Sequence, residues 1–325
     1  MKVFVNRHVY ILIGLLPVFI YCLSYFLFET NLARSIQIKK MMLDAITQTA
    51  VSPNMLGNEY KARILWQSSS LLSIVAYLFA IFWSCSILHR CCSSGAQIKK
   101  IIALGLVIVT LTLLQLIHAD QNSAMYNAIF STTYEALHAS SLFSQSFQNK
   151  VYIVINLINF LAALTPVFIL VAVCSTISIA EEQNPSNLDF YIDRMNYLKQ
   201  GTTAGSIILL FGIIHMASWM QWPETLLNET NLNKVFSAYI SANSQFWGIT
   251  FTLLLISLYV SAAAFLRARV QSALNSLPSH LERQKWLQDN GFTISFQKHI
   301  LQLGMMLTPS IAGSLSSVFE IISVK

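Results

Sequence analysis

Val151 to Ala180 reads VYIVINLINFLAALTPVFILVAVCSTISIA and contains no Asp, Glu, Lys or Arg. About 20 apolar residues suffice to cross the hydrocarbon core of a bilayer as a helix. This block is longer than that. At 1.5 Å per residue it exceeds about 40 Å, so it is expected to tilt, to kink near Pro166, or to protrude. A stretch of this kind decides the fold class, because in lipid every backbone polar group must be satisfied within the chain, and a helix does that locally.

Five further blocks of the same character flank it: residues 9–28, 65–88, 101–119, 204–222 and 246–266. The first is too long for a signal peptide and lacks a small-residue cleavage pattern, so it reads as a retained helix. Composition agrees. The 325 residues are 55% hydrophobic and only 10% charged, with mean hydropathy +0.57, whereas soluble domains carry about 25% charged residues. The sequence therefore predicts an all-α polytopic membrane bundle. Its six transmembrane helices occupy residues 1–269, and a cytoplasmic helical tail occupies 270–325.

Lys and Arg set the orientation. With the N-terminus inside, 13 of the 20 basic residues fall on the inner side and 7 on the outer. The first outer loop, with Arg34, Lys39, Lys40, Lys61 and Arg63, is the discordant segment. Trp66, Trp219, Trp222 and Trp247 all fall at outer helix ends, as an aromatic belt would place them. Both termini are thus expected in the cytoplasm, and the bilayer is expected to be the plasma (inner) membrane. The net charge of +6 reads as this asymmetry and not as a nucleic-acid surface, since no basic run alternates with aromatics.

The outer loops carry apolar residues at helical spacing. They are Leu32, Ile36, Leu43 and Ile46; then Tyr126, Ile129, Phe130, Tyr134 and Leu137; then Leu232, Val235, Phe236, Tyr239 and Ile240. Such helices either lie on the membrane or pack into a cap. Ser186 to Asp189 reads as a capping box leading into a rod continuous with the fifth span. In the tail, His280 to Asp289 reads as a helix closed by Asn290 and Gly291. Phe296, Ile300 and Leu303 suggest another, stopped near Pro309. Ile311 to Ile322 is too short and too rich in Ser and Gly to read as a span.

Chemistry is sparsely signalled. No phosphate loop, zinc-protease helix, serine-nucleophile elbow or C-x-x-C motif is present. No Asp, Glu, Lys or Arg stands near the middle of any block, which disfavours a proton or ion relay. No catalytic, cofactor-binding or metal site is predicted, and the chain is not expected to be an enzyme. Cys91 and Cys92 lack partner ligands at suitable spacing and read as small apolar residues at a helix end. Asn228-Glu229-Thr230 is a glycosylation sequon, a triplet common by chance.

Four intramembrane polar residues stand out: His215, Asn156, Asn159 and Gln115. His215 reads first as a neutral, packed imidazole. Gly201, Gly205 and Gly212 share its face and read as packing surface. Asn156 and Asn159 read evenly as packing or as the lining of a wet path, and in either case should face protein or water. The expected activity is that of a channel or pore-forming subunit, or of a membrane effector controlled by a cytoplasmic partner. A non-catalytic scaffold or sensor subunit of a larger complex is the alternative. Expected partners are the bilayer and either further copies of the chain or another membrane or cytoplasmic protein.

Overall fold

The computed structural model describes residues 9–92, 95–118, 123–178, 188–227, 230–274, 280–292 and 304–313. Among them every regular element is helical. In chain order these are α1 (Val9–Glu29), α2 (Leu32–Gln48), α3 (Pro53–Cys91) and α4 (Gly95–His118). A π-helical turn (Tyr126–Ser131) leads into α5 (Thr132–Ala139). There follow α6 (Gln145–Ile177), α7 (Leu188–Gln221) with a 3-10 turn (Trp222–Leu226), α8 (Thr230–Ala273), α9 (His280–Asp289) and a last helix, α10, over 304–313.

Five helices are long and apolar enough to cross a membrane: α1 from Leu12, α3, α6, α7 with its 3-10 turn, and α8 from Leu232. The chain is an integral membrane protein with a helical bundle. The remaining sequence block, 101–119, forms α4, whose Ile101, Leu104 and Ile108 are buried in the same core. The helices overrun their apolar blocks because polar residues start them early. Ser52 caps α3 by accepting the amide of Met55, with Pro53 at the first turn, and Ser144 caps α6 by accepting the amide of Phe147. The rod expected before the fifth span is present, as α7 runs unbroken from Leu188. The capping box of 186–189 reaches outside the described residues. The third outer-loop helix is not separate: Leu232 to Ile240 form the first turns of α8, a single helix of 44 residues.

The outer segments pack into a cap. Met42 and Ile46 of α2, Ala136 and Leu137 of α5, Leu226 of the 3-10 turn, and Phe236 and Ile240 of α8 share one apolar cluster with Trp66, Trp219 and Trp222. These tryptophans are not lipid anchors. They are 3%, 1% and 0% exposed, with ring centroids 5.1–6.2 Å apart, so the belt is an internal aromatic layer between bundle and cap. The outer segments also pair two of the five discordant outer cations with carboxylates. Lys39 is bound by Glu135 at 2.7 Å, with Ser131 and Asn127 beside it. Arg63 is paired with Glu59. Glu29, at the end of α1, accepts the amides of Ala124 and Met125 and the hydroxyl of Ser123, the anionic cap that a helix start favours.

The last helices depart from the expected tail in one respect. α9 ends as read: Gly291 takes φ 73°, and the amide of Phe292 donates to the carbonyl of Leu287 at 2.8 Å, a glycine-terminated cap. α10, by contrast, does not stop at Pro309, and it lies inside the bundle against α8. Met306 is 0% exposed in the main core, and Ala312 is buried with Phe28, Ala124, Ile213 and Trp247. The two backbones touch. A Cβ at Gly248 would sit 2.5 Å from the Pro309 carbonyl oxygen, and one at Gly313 would collide with the Ser244 carbonyl oxygen. Small residues give this approach where side chains would hold helices apart. Gly248→Ala is therefore expected to cost about 1–3 kcal/mol by overpacking against backbone that cannot rotate away. Unfolding in detergent, with Gly57→Ala as control in open space, measures the difference. Equal stabilities would exclude the contact.

Candidate functional site

α3 and α7 run antiparallel and meet along a ladder of polar side chains. At its outer rung Trp66 faces Trp219. One turn deeper the Oγ of Ser70 lies 3.4 Å from Nδ1 of His215, and deeper still the Ser73 hydroxyl donates to the Phe211 carbonyl at 3.3 Å. Ser70 also donates to the Trp66 carbonyl at 2.7 Å. A hydroxyl has one proton, so with that proton on the Trp66 carbonyl Nδ1 of His215 donates to Ser70, and Nε2 is left without a partner among the described residues. His215 is 5% exposed. Its face packs as the sequence suggests: Gly205 abuts Leu255 and Gly201 abuts Val173 and Trp83.

This geometry fixes what His215 can do. It offers one imidazole and one hydroxyl already engaged by backbone. Among the described residues no three His, Cys, Asp or Glu side chains gather into a metal-binding group. His215→Leu leaves Ser70 bonded to Trp66 and removes one weak, long hydrogen bond. Its expected cost is about 1 kcal/mol or less, with His215→Gln similar. A loss beyond about 2 kcal/mol in either variant, read by unfolding in detergent, would show that Nε2 carries a load unaccounted for by these contacts.

No protein-family model matches the chain, and neither a curated protein nor a solved structure is significantly similar to it. The assignment of a site therefore rests on the side chains themselves.

The structure does not bring the other candidates to His215. Asn156 and Asn159 both lie on the exposed face of α6, with Tyr152, Ile153, Leu157 and Phe160. Asn156 donates only to its own helix, to the Tyr152 carbonyl at 2.9 Å. Along α6 the two carboxamides are thus on the surface, while Cys174 and Ser178 at its inner end are buried. Gln115 belongs to α4, but its side chain lies outside the described residues.

Two polar centres were not singled out by the sequence. At the outer end Glu59, 2% exposed, accepts Nε of Arg63 at 2.9 Å and Nε1 of Trp222 at 3.0 Å, and its second oxygen meets Arg63 again. The guanidinium lies over Phe147, 4.9 Å from the ring centre. At the inner end Arg194, 3% exposed, donates to the Ser175 carbonyl at 3.0 Å and to the Cys91 carbonyl at 2.7 Å. These carbonyls end α6 and α3, so one cation joins the negative ends of two helices. Beside it, burial pushes the Cys92 thiol up to about 11, with Cys91 adding to the effect and Arg194 opposing it. Cys92 is thus inert packing rather than a reactive thiol.

These centres give α6 a depth scale. Arg63 stands over Phe147, and Arg194 binds at Ser175. Between Phe147 and Ser175 the helix rises about 42 Å, a hydrocarbon core of about 30 Å with part of the headgroup layer at each end. Asn159 lies about 18 Å below Phe147 and about 24 Å above Ser175, near mid-depth.

Proposed function

We propose that the chain is the subunit of a membrane channel or pore, with six long spans, its N-terminus in the cytoplasm, and its polar path formed between copies rather than through one. One observation carries this reading. The bundle interior is filled by side chains, with the His215 face closed against α3, while the two mid-depth carboxamides of α6 point outward. A path through a single chain would need the reverse arrangement. The positive-inside asymmetry supports the orientation, now that two of the discordant outer cations are accounted for by Glu135 and Glu59. On this reading the host membrane is the plasma membrane, and inner segments are where a cytoplasmic partner would act.

The scaffold reading draws on a different observation: every Gly and His contact of α7 is explained by packing. Reconstitution separates the two. Purified protein in liposomes should release a small entrapped ion, and Asn159→Leu should reduce that flux several-fold while leaving insertion intact. Vesicles that stay tight at all protein densities, with a parent protein confirmed as folded, would overturn the channel reading in favour of the scaffold.

A further inference from the structure

The surface of α6 ends in lipid on the single chain, and one part of it is unsuited to lipid. Asn156 and Asn159 are exposed, and Asn159 has no hydrogen-bond partner among the described residues. Both stand between the Arg63 and Arg194 layers, Asn159 near mid-depth. Acyl chains offer neither donor nor acceptor, so a carboxamide there needs a protein partner. Around them Ile153 and Phe160, 66% and 58% exposed, are apolar. Ala163, one turn below Asn159, is small and half-buried, leaving room for another helix to approach.

We propose that this face, centred on Asn156, Asn159 and Ala163, is where a second copy of the chain docks. The argument for a second copy is complementarity. A carboxamide carries both a donor and an acceptor, so two related copies crossing at Asn159 satisfy each other without any further group. The arrangement is isologous, the same patch on both sides. The exposed surface of α3 at matching depth, Leu71, Leu72, Val75, Leu78 and Phe79, is wholly apolar and suits lipid. The inference rests on the oligomeric reading above but not on conductance.

The test uses the full chain in membranes, with the exposed Cys22 and Cys85 replaced by Ser. A Cys at Asn159 should cross-link to a dimer on oxidation, whereas a Cys at Val75, exposed at the same depth, should not. Asn156→Leu with Asn159→Leu should weaken self-association by about tenfold in dilution measurements, and Asn159→Gln, which keeps the amide, should restore most of it. No cross-link at position 159, or equal cross-linking at 159 and 75, overturns the proposal. So does undiminished association of the double Leu variant. Cross-linking in vesicles that remain tight would sustain the docking face and remove the channel reading; leaky vesicles without cross-linking would do the opposite.

Discussion

Arg194→Ala is expected to lower the unfolding free energy by about 3 kcal/mol or more, since each hydrogen bond from a charged donor contributes about 1.5–3 kcal/mol. The guanidinium is 3% exposed and donates to two carbonyls on different helices. Its removal leaves both without a donor at the ends of α3 and α6, where water reaches poorly and the helix dipoles concentrate negative potential. It also removes the plane stacked over Phe190, 4.6 Å from the ring centre. Among the described residues no carboxylate pairs with Arg194, so the substitution does not free a buried anion that would complicate the result. Arg194→Lys keeps the charge but loses the planar fork that spans the two carbonyls, and should recover about half of the loss. Reversible unfolding in detergent reads both. An Ala variant within about 0.5 kcal/mol of the parent would mean that the two helix ends are held by apolar packing alone, because that is the range of an ordinary surface substitution.

The contrast between Arg194 and His215 shows where the sequence is legible. The apolar blocks announce the spanning helices because hydrocarbon leaves the chain little alternative, and five of those helices stand as read. The helical spacing of Leu43 and Ile46, and of Tyr134 and Leu137, announces the cap for the same reason of periodicity, although Ile36 of the first stripe is exposed and Met42 takes a buried place the spacing did not single out. The Asn290-Gly291 stop is legible because few residues besides Gly adopt φ 73° without strain. Arg194 was visible only as one inner cation among many. Its importance comes from Ser175 and Cys91, which donate backbone carbonyls, and backbone has no sequence signature.

The placement of α10 was hidden by a related limit. Residues 304–313 are weakly apolar when read alone, and a free-standing span needs more. A helix that lies against α8 through Gly248 and Gly313 buries one face in protein, with Leu307 and Ile311 exposed on the other, and needs less hydrophobicity. The tryptophans mislead in the opposite direction. Trp66, Trp219 and Trp222 sit at the expected level, but α2, α5 and the start of α8 cover them. A belt facing headgroups and a layer facing a protein cap have the same sequence pattern. Asn159 could be recognised as needing a partner, but not as lacking one among the described residues, since that depends on which face of α6 meets α3.

The outer end makes the second strong prediction. Glu59→Ala should cost about 3 kcal/mol, the lower part of the range for breaking a buried ion pair. Two groups lose their acceptor at once. The Trp222 indole N–H, on a side chain that is 0% exposed, has no route to water. Arg63 retains only the rings of Phe143 and Phe147 beneath it. Its side chain is 29% exposed, so it can swing outward and recover hydration, which holds the cost below that of a fully enclosed cation. Glu59→Gln keeps an acceptor for Trp222 but weakens the bond to Arg63, and should cost about 1–2 kcal/mol. Combining Glu59→Gln with Arg63→Gln should cost less than the sum of the single changes, because the second removes a charge that the first left without its partner. The local readout is tryptophan emission: Trp66, Trp219 and Trp222 form one layer, and loosening Trp222 should shift it to longer wavelength before global unfolding. If Ala and Gln variants prove equally stable and their emission is unchanged, Glu59 does not anchor the cap, and the cap is held by the apolar contacts of α2 and α5.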